Sequence, residues 1–382
     1  MPTTFLRVAV FGLPVMLAVS CGGNPTSKVM PLSSCVVSIK PAFAYVLNGL
    51  NTDAVSMFTV NSCTGDLIPT TPATVTTGIN PESMVVDPLG RFVYVANLVS
   101  NAADRATISM YTINSSTGIL TLTNPPTVPT GFFPQGIGID PSGKFVYTAN
   151  SDDNTVSMFT INPSTGILTP TTPASVATGW SPLSVTVHPS GKFAYAANQD
   201  DDTVSMYSIN AATGVLTRLT PATVPTGSSP FDVTVDPSGK FAYVPNAYDP
   251  NNTVSQYTID SVTGVLIPNT PSAVTSGNQP TSVAVDPSGK FAYVVNRLDN
   301  TVSMFTINAT DGTLTLVATV ATGSQPFRIA IDPSGHFAYV ANENGASVSI
   351  YTLKSNGTLT PAGRNTRRRA IGGFERNQLG DG

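Results

Sequence analysis

The chain has 382 residues, of which 41% are hydrophobic and only 10% are charged, and its formal net charge is −4. So few charges, with a slight acidic excess, exclude the basic surface on which general nucleic-acid binding depends. Thr, Ser, Asn, Pro and Gly supply most of the polarity, which is typical of a β protein rich in turns.

The N-terminus has the pattern of an export signal. Arg7 precedes an apolar run at residues 8–19, which is shorter than the ~20 residues that a membrane-spanning helix needs. A short apolar run between a basic residue and small residues is typical of a signal peptide. We therefore predict that residues 1–20 form a signal peptide.

The end of this run indicates lipidation. Residues 18–21, Ala-Val-Ser-Cys, resemble a bacterial lipobox, in which the Cys becomes the lipidated first residue of the mature protein. Cys21 is thus the predicted lipidation site, and residues 21–34 are predicted to tether the protein to the membrane of the cell envelope, periplasmic or surface-exposed. Ala18 and Ser20 suit an ordinary signal peptidase as well, so a secreted protein is the alternative.

A repeat fills most of the chain that follows. The pattern Phe-x-Tyr-x-x-Asn occurs seven times at intervals of 46 to 53 residues, and helical periodicity is absent. A period of about 50 residues built from short strands indicates a ring of small sheets. We predict that residues 35–361 form one all-β domain, a seven-bladed β-propeller of four-stranded antiparallel blades. The copies begin at Phe43, Phe92, Phe145, Phe193, Phe241, Phe291 and Phe337.

Each copy contains four predicted strands, called A to D. In the copy that starts at Pro182, short apolar segments alternate with turns that contain Gly. Strands A, B and C are apolar or small on both faces, as sheets packed between two neighbours require. The four strands of this copy are predicted at residues 184–187, 193–198, 204–209 and 215–220, and the residues that follow connect them to the next blade.

The first copy departs from the pattern. Residues 35–39 stand where its strand A is expected. Open sheet edges favour aggregation, so we expect the first blade to pack against the last and close the ring; exchange of a terminal strand between them stays open. Cys35 would begin strand A and Cys63 lies in the C–D turn, at opposite ends of the blade. This argues against a disulfide, although export permits one.

The two ends of the predicted ring differ. One end, the base, carries the A–B and C–D turns, which are nearly identical in every copy. The other end, the mouth, carries the B–C loops and the D–A connections, which vary. Repetition within a chain follows what the fold requires, so we expect a functional site at the mouth of the central channel.

Aromatic side chains occur at the predicted mouth. Phe132 and Phe133 lie in one D–A connection, and Trp180, the only Trp of the chain, lies in the next. They are candidates to stack on a sugar or a peptide, and the alternative is that they cap the interface between blades.

Charged side chains also occur near the channel. Glu82, Asp232 and Arg328 lie at the start of A strands, and Arg297 opens a B–C loop. An acid and arginines around a channel could bind an anionic substrate or a lactone. The alternative is a polar plug lined by water.

Metal and cofactor chemistry is not predicted. The acidic loops at residues 152–153 and 200–202 could hold a hard cation, but their spacing matches no EF-hand, and solvated loops are the alternative. His188 and His336 lie in A–B turns at the base, away from the mouth, so neither is a candidate for zinc binding or Ser-His-Asp catalysis. We expect no cofactor.

The C-terminal segment, residues 362–382, breaks the repeat. It contains five of the 11 Arg residues and lacks strand alternation. We predict a disordered basic tail, and contact with an anionic lipid or polymer is the alternative.

The segments GKFAYVAN, NTVSMFTINPSTGIL and GxxPxxVxVDPSG resemble the lactonase-type seven-bladed β-propellers, which include 6-phosphogluconolactonase-like and YVTN-repeat proteins. The resemblance covers about residues 35–361 and implies the fold. It also implies a channel site of His, Arg and Glu, with a His near the start of an A strand. The positions corresponding to that His carry Glu82, Gln135, Leu183, Phe231, Thr281 and Phe327.

Three functions are compatible with these observations. The first is an exported propeller lipoprotein, expected to be a monomer, that binds a protein, a glycan or a small lactone at its mouth. The second is a lactone hydrolase in which Glu82 is the general base and Arg328 or Arg297 stabilises the oxyanion. The third is a structural role in the envelope.

Overall fold

The computed structural model describes residues 6–11, 42–49, 52–98, 106–362 and 366–367, and these form strands and turns throughout. Seven antiparallel sheets, each with four consecutive strands, confirm the predicted seven-bladed propeller. From inner to outer strand, blades 1 to 4 are β1 Leu6–Phe11, β2 Ala42–Asn48, β3 Ala54–Val60, β4 Leu67–Thr76; β5 Pro81–Val86, β6 Phe92–Asn97, β7 Thr107–Ile113, β8 Leu120–Pro129; β9 Pro134–Ile139, β10 Phe145–Asn150, β11 Thr155–Ile161, β12 Leu168–Ala177; β13 Pro182–Val187, β14 Phe193–Asn198, β15 Thr203–Ile209, β16 Leu216–Pro225.

Blades 5 to 7 continue the order, and one short extra strand, β29, pairs with the third strand of blade 7. Within the described ranges, no helix is long and apolar enough to cross a membrane. The remaining strands are β17 Thr234–Val235, β18 Phe241–Pro245, β19 Thr253–Ile259, β20 Leu266–Thr275; β21 Pro280–Val285, β22 Phe291–Asn296, β23 Thr301–Ile307, β24 Leu314–Ala321; β25 Pro326–Ile331, β26 Phe337–Asn342, β27 Ser347–Leu353, β28 Leu359–Pro361; and β29 Thr366–Arg367.

The repeated Phe-x-Tyr-x-x-Asn motif joins neighbouring blades. In blade 3, the hydroxyl of Tyr147 donates to the carbonyl of Gly214 in blade 4 over 2.9 Å. A Cβ on Gly214 would lie 2.3 Å from Phe145 Cδ1, so the ring of Phe145 fits only beneath a glycine. Within its own blade, Asn150 donates from Nδ2 to the hydroxyls of Thr155 and Ser157. The motif recurs because each interface between blades needs these contacts.

The same contacts close the ring. Tyr339 of blade 7 donates to the carbonyl of Gly65 in blade 1 over 2.9 Å. Phe337, Ala44, Val46 and Leu67 belong to one apolar cluster that spans the two blades. This confirms that the first blade packs against the last. Among the described strands, none is exchanged between blades 1 and 7.

The innermost strand of blade 1 comes from an unexpected segment. β1, Leu6–Phe11, pairs antiparallel with β2 from Leu6 opposite Asn48 to Phe11 opposite Phe43. The sequence analysis placed residues 35–39 in this position, and they lie outside the described residues. β1 belongs to the segment predicted as a signal peptide. The signal peptide, the lipidation of Cys21 and the tether at residues 21–34 stay predictions.

The outer strands are longer than predicted. In blade 4, β16 continues to Pro225, whereas residues 221–225 were predicted as connection. A register shift between Ser205 and Tyr207 lets β16 follow the whole length of its partner β15. Pro221 and Pro225 are tolerated because an edge strand needs no N–H on its outer side.

Two features lie near the ends of the predicted domain, a cysteine in blade 1 and a short strand after blade 7. Cys63 is a free, exposed cysteine in the turn between β3 and β4, where the sequence map placed it, and Cys35 lies outside the described residues. Within the predicted disordered tail, β29 pairs with β27. Residues 363–365 and 368–382 lie outside the described residues.

Candidate functional site

A cavity of about 250 Å³ lies among the inner strands. Its lining includes residues that lie two positions after the Pro at the start of each inner segment, because these corresponding positions face the same side in each blade. They are Ser83, Gly136, Ser184, Asp232 and Arg328. Three of these side chains are small or absent, so the space inside the ring is available to the two charged ones.

Asp232 and Arg328 form an ion pair in this cavity. Nη1 of Arg328 donates to Oδ2 of Asp232, although the two residues are 96 positions apart and belong to blades 5 and 7. The side chain of Asp232 is only 10% exposed, and that of Arg328 is 18% exposed. Within the described part of the chain, Nε and Nη2 of Arg328 have no further partner. The pair therefore presents unused guanidinium donors beside a carboxylate in a small cavity.

Two aromatic rings precede the charged pair in sequence. Phe231 and Phe327 contact each other edge to face, with ring centroids 5.3 Å apart. Each lies one residue before a member of the ion pair, and alternation along a strand puts it on the opposite face, nearer the mouth. Phe327 is buried and Phe231 is half-buried. We call these two rings the aromatic pair.

Arg297 lies beside one ring of the aromatic pair. Its Nη2 lies 3.0 Å from Oε2 of Glu343, and its guanidinium also donates to the side-chain oxygens of Gln279 and Gln325. The guanidinium carbon lies 6.0 Å from the centroid of the Phe327 ring. Because four side-chain contacts hold Arg297 at the mouth, the structure separates it from Arg328, which lines the cavity.

Glu82 lies on β5 directly before Ser83. Its side chain is 1% exposed and is not among the residues that line the cavity. The structure thus brings Asp232 and Arg328 together and places Glu82 and Arg297 elsewhere around the inner strands.

The aromatic residues of the D–A connections are exposed at the mouth. Trp180 is 66% and Phe132 is 45% exposed, and Phe133 is exposed beside it. The B–C loop acids position them, because Asp153 accepts the backbone N–H of Phe132 over 2.8 Å and Asp201 accepts that of Trp180 over 2.7 Å. The carboxylates are therefore partly engaged with backbone donors rather than fully solvated.

The histidines have structural roles at the base. Nε2 of His188 must donate to the carbonyl of Gly239, 2.8 Å away, so Nδ1 accepts the backbone N–H of Ser190. His336 bonds the hydroxyl of Ser334. Across the described residues, no group of three or more His, Cys, Asp or Glu side chains lies together as a metal site.

The seven blades around a central cavity place this protein in the class of seven-bladed β-propellers. The family model for seven-bladed β-propeller lactonases matches residues 35–180 and 184–370, so the chain belongs to this family. This confirms the resemblance seen in the sequence.

Solved structures agree with this assignment. A protein from Bacteroides uniformis, described as a candidate 6-phosphogluconolactonase, is 25% identical with a TM-score of 0.72, and the match covers 82% of this chain and 92% of that one. A candidate 6-phosphogluconolactonase from Bacteroides fragilis is 24% identical with a TM-score of 0.71, over 88% and 97% of the chains. The periplasmic gluconolactonase of Pseudomonas aeruginosa is 20% identical with a TM-score of 0.68, over 83% and 93%. The last two show the fold alone. The search of curated proteins found no match.

Proposed function

We propose that this chain hydrolyses a small lactone in the central cavity. The observation that carries the proposal is the Asp232–Arg328 pair, which puts a carboxylate and unused guanidinium donors in one cavity. The volume of about 250 Å³ lies below the roughly 300–1,000 Å³ typical of drug-sized ligands. A single-ring sugar lactone, of the kind named for the Bacteroides and Pseudomonas proteins, is the substrate class that suits this size.

The reaction follows from the two charged groups. Asp232 takes a proton from a water molecule as its oxygen attacks the lactone carbonyl carbon. The guanidinium of Arg328 donates to the oxyanion that develops on the carbonyl oxygen. When the ring C–O bond breaks, the proton held on Asp232 passes to the leaving alkoxide, and a hydroxy acid is released.

Low exposure of the ion pair strengthens the interaction between Arg328 and the developing oxyanion, because fewer waters screen it. Arg297 has a positioning role in this scheme, since it contacts Phe327 and the side chains around it. Glu82 is retained as the alternative base from the sequence analysis.

Variants of the charged residues test the proposal on 6-phosphogluconolactone and glucono-lactone. Arg328→Met should lower kcat/KM by about 10²–10³-fold, the loss typical of an oxyanion donor. Asp232→Asn should lower kcat by roughly 10²–10⁴-fold. Arg91→Met is the matched control, because Arg91 pairs with Asp87 over 2.8 Å in the A–B turn of blade 2 and does not line the cavity.

Two outcomes would contradict this scheme. If Glu82→Gln abolishes turnover and Asp232→Asn does not, the base is Glu82. If no lactone is hydrolysed above the uncatalysed rate by folded protein, the lactonase proposal is wrong.

A second candidate function is an exported binding protein anchored at the cell envelope. The exposure of Trp180 and Phe132 at the mouth supports it, because large exposed aromatic side chains are typical of ligand surfaces. Labelled palmitate that enters the wild-type protein and not the Cys21→Ala variant would support the anchor. Binding of an oligosaccharide, followed by ligand-observed NMR and lost in Trp180→Ala, would support the binding site.

A further inference from the structure

The interfaces between blades 2 and 3 and between blades 3 and 4 are built alike but filled differently. At the second interface, Arg218 of β16 donates from Nε to the carbonyl of Ala177 and from Nη2 to that of Thr178, over 3.1 and 3.0 Å. The hydroxyl of Tyr207 also donates to Ala177. The guanidinium thus bridges the last strand residue of one blade and the residue after it.

The first interface lacks both donors. In blade 3, Phe159 and Pro170 occupy the positions of Tyr207 and Arg218. Phe159 pairs with Pro170 between β11 and β12, as Tyr207 pairs with Arg218 between β15 and β16. Phenylalanine has no hydroxyl, and proline has no polar side-chain atom. No side chain in the described part of the protein donates to the carbonyls of Pro129 and Thr130, the counterparts of Ala177 and Thr178.

An open groove of about 420 Å³ stands where the arginine would be. It is lined by Pro129, Thr130, Phe159 and Pro170, and by Asp153, whose carboxylate adds negative charge. Backbone carbonyls and a carboxylate attract a cation, and two carbonyls of consecutive residues suit the forked donors of a guanidinium better than the single point of an ammonium.

We propose that this groove binds an arginine side chain of a partner polypeptide, which takes the place that Arg218 fills at the neighbouring interface. The exposed Pro129 and Pro170 provide apolar surface for the arginine methylenes, and the two carbonyls accept from Nε and Nη2. This site is separate from the central cavity and does not depend on lactone hydrolysis.

The direct test is a titration of the full-length protein with a blocked tripeptide, acetyl-Ala-Arg-Ala-amide, followed by ligand-observed NMR. The matched peptides contain citrulline, which keeps the shape without the charge, or lysine. We expect the arginine peptide to bind at least about tenfold more tightly than either, because charge-assisted hydrogen bonds to both carbonyls are lost in citrulline and cannot be spanned by lysine. Equal binding of the three peptides would overturn the proposal.

Substitutions copied from the neighbouring interface provide the second test. Phe159→Tyr with Pro170→Arg should fill the groove from within and abolish peptide binding. In that background, Tyr207→Phe with Arg218→Pro should open the other interface and restore binding there. Circular dichroism and thermal unfolding check that each variant folds. If the filled variant is folded and still binds the arginine peptide, the groove is not the site.

Discussion

The base and the mouth of this propeller use the same strands in different ways. At the base, the carboxylates of the A–B turns are occupied by the backbone: Asp140 accepts the N–H groups of Ser142, Lys144 and Phe145. In the cavity, Arg328 retains donors that no described residue uses, and at the mouth Trp180 is exposed. Groups at the base satisfy the fold, whereas groups at the mouth are available to a ligand.

This difference follows from what each end must do. A C–D turn at the base lies against the neighbouring blade, so its Gly is constrained by a Phe ring in every copy. A connection at the mouth is constrained only through its backbone, which leaves the side chain of Phe132 or Trp180 free to differ between blades. Substitutions at the base should therefore change stability, and substitutions at the mouth should change activity or binding.

The largest effect is expected from alkaline pH, which acts on buried tyrosines at both ends of the blades. Tyr339 donates to the turn carbonyl of Gly65 at the base, and Tyr351 donates to the carbonyl of Ala321, where the outer strand β24 ends towards the mouth. Burial raises the pKa of both tyrosines, and that of Tyr351 is raised from 10.0 to about 12. Since the unfolded state ionises more readily, this stabilisation is complete below pH 10 and is lost as the pH rises towards about 12.

We therefore expect cooperative alkaline unfolding in that range, measured by absorbance of tyrosinate and by circular dichroism on the same samples. Tyrosine ionisation that is complete while the circular dichroism is still native would contradict it.

A methyl group at a base turn is expected to have the next largest effect. Gly264 has φ +75°, and a Cβ there would lie 2.3 Å from Phe193 Cδ1. Gly264→Ala should cost about 3 kcal/mol, from the left-handed backbone and from overpacking together. Gly191 is the matched control, because its φ is +69° but the nearest atom to an added Cβ is 3.8 Å away. Gly191→Ala should lower the free energy of unfolding only by the part due to the left-handed backbone, about 1–2 kcal/mol.

Urea unfolding of both variants measures the difference, and the proposed lactonase activity should be unchanged in each. Equal losses of stability would mean that Phe193 moves aside at little cost.

The same contrast explains what the sequence could predict. Strands and turns recur in each copy, so strand B of blade 4 was predicted at its observed bounds, Phe193–Asn198. The pairing of Asp232 with Arg328 could not be predicted, because it joins residues 96 positions apart and depends on the diameter of the ring. The contacts of Arg297 with Gln325 and Glu343 also join different blades, 6 and 7.

β1 was missed for a different reason. An apolar run of this length suits a signal peptide and an innermost strand equally well, and nothing local distinguishes the two. The charges and rings near the channel were identifiable as candidates from their positions, but only the fold shows which of them share the cavity.

A smaller effect is expected where the ring closes. Tyr195 and Tyr339 make the same bond at an internal interface and at the closing one, to Gly264 over 2.7 Å and to Gly65 over 2.9 Å. Each change to Phe should cost about 1–2 kcal/mol, because a buried carbonyl loses its partner. Equal losses in urea unfolding would show that the closing interface is as well bonded as the others. A much larger loss for Tyr339→Phe would mean that opening of the ring limits stability.

The smallest effect on stability is expected from the largest side chain at the mouth. Trp180 is 66% exposed, and its backbone N–H, which Asp201 accepts, remains after substitution. Trp180→Ala should therefore change the free energy of unfolding by less than about 0.5 kcal/mol. Asp201→Ala is the variant to compare with it, because it removes the acceptor of the Trp180 N–H in the D–A connection. It should lower the free energy of unfolding by about 1 kcal/mol. If Trp180→Ala is the more destabilising of the two, the indole contributes to packing between blades, and the mouth is not free of structural demands.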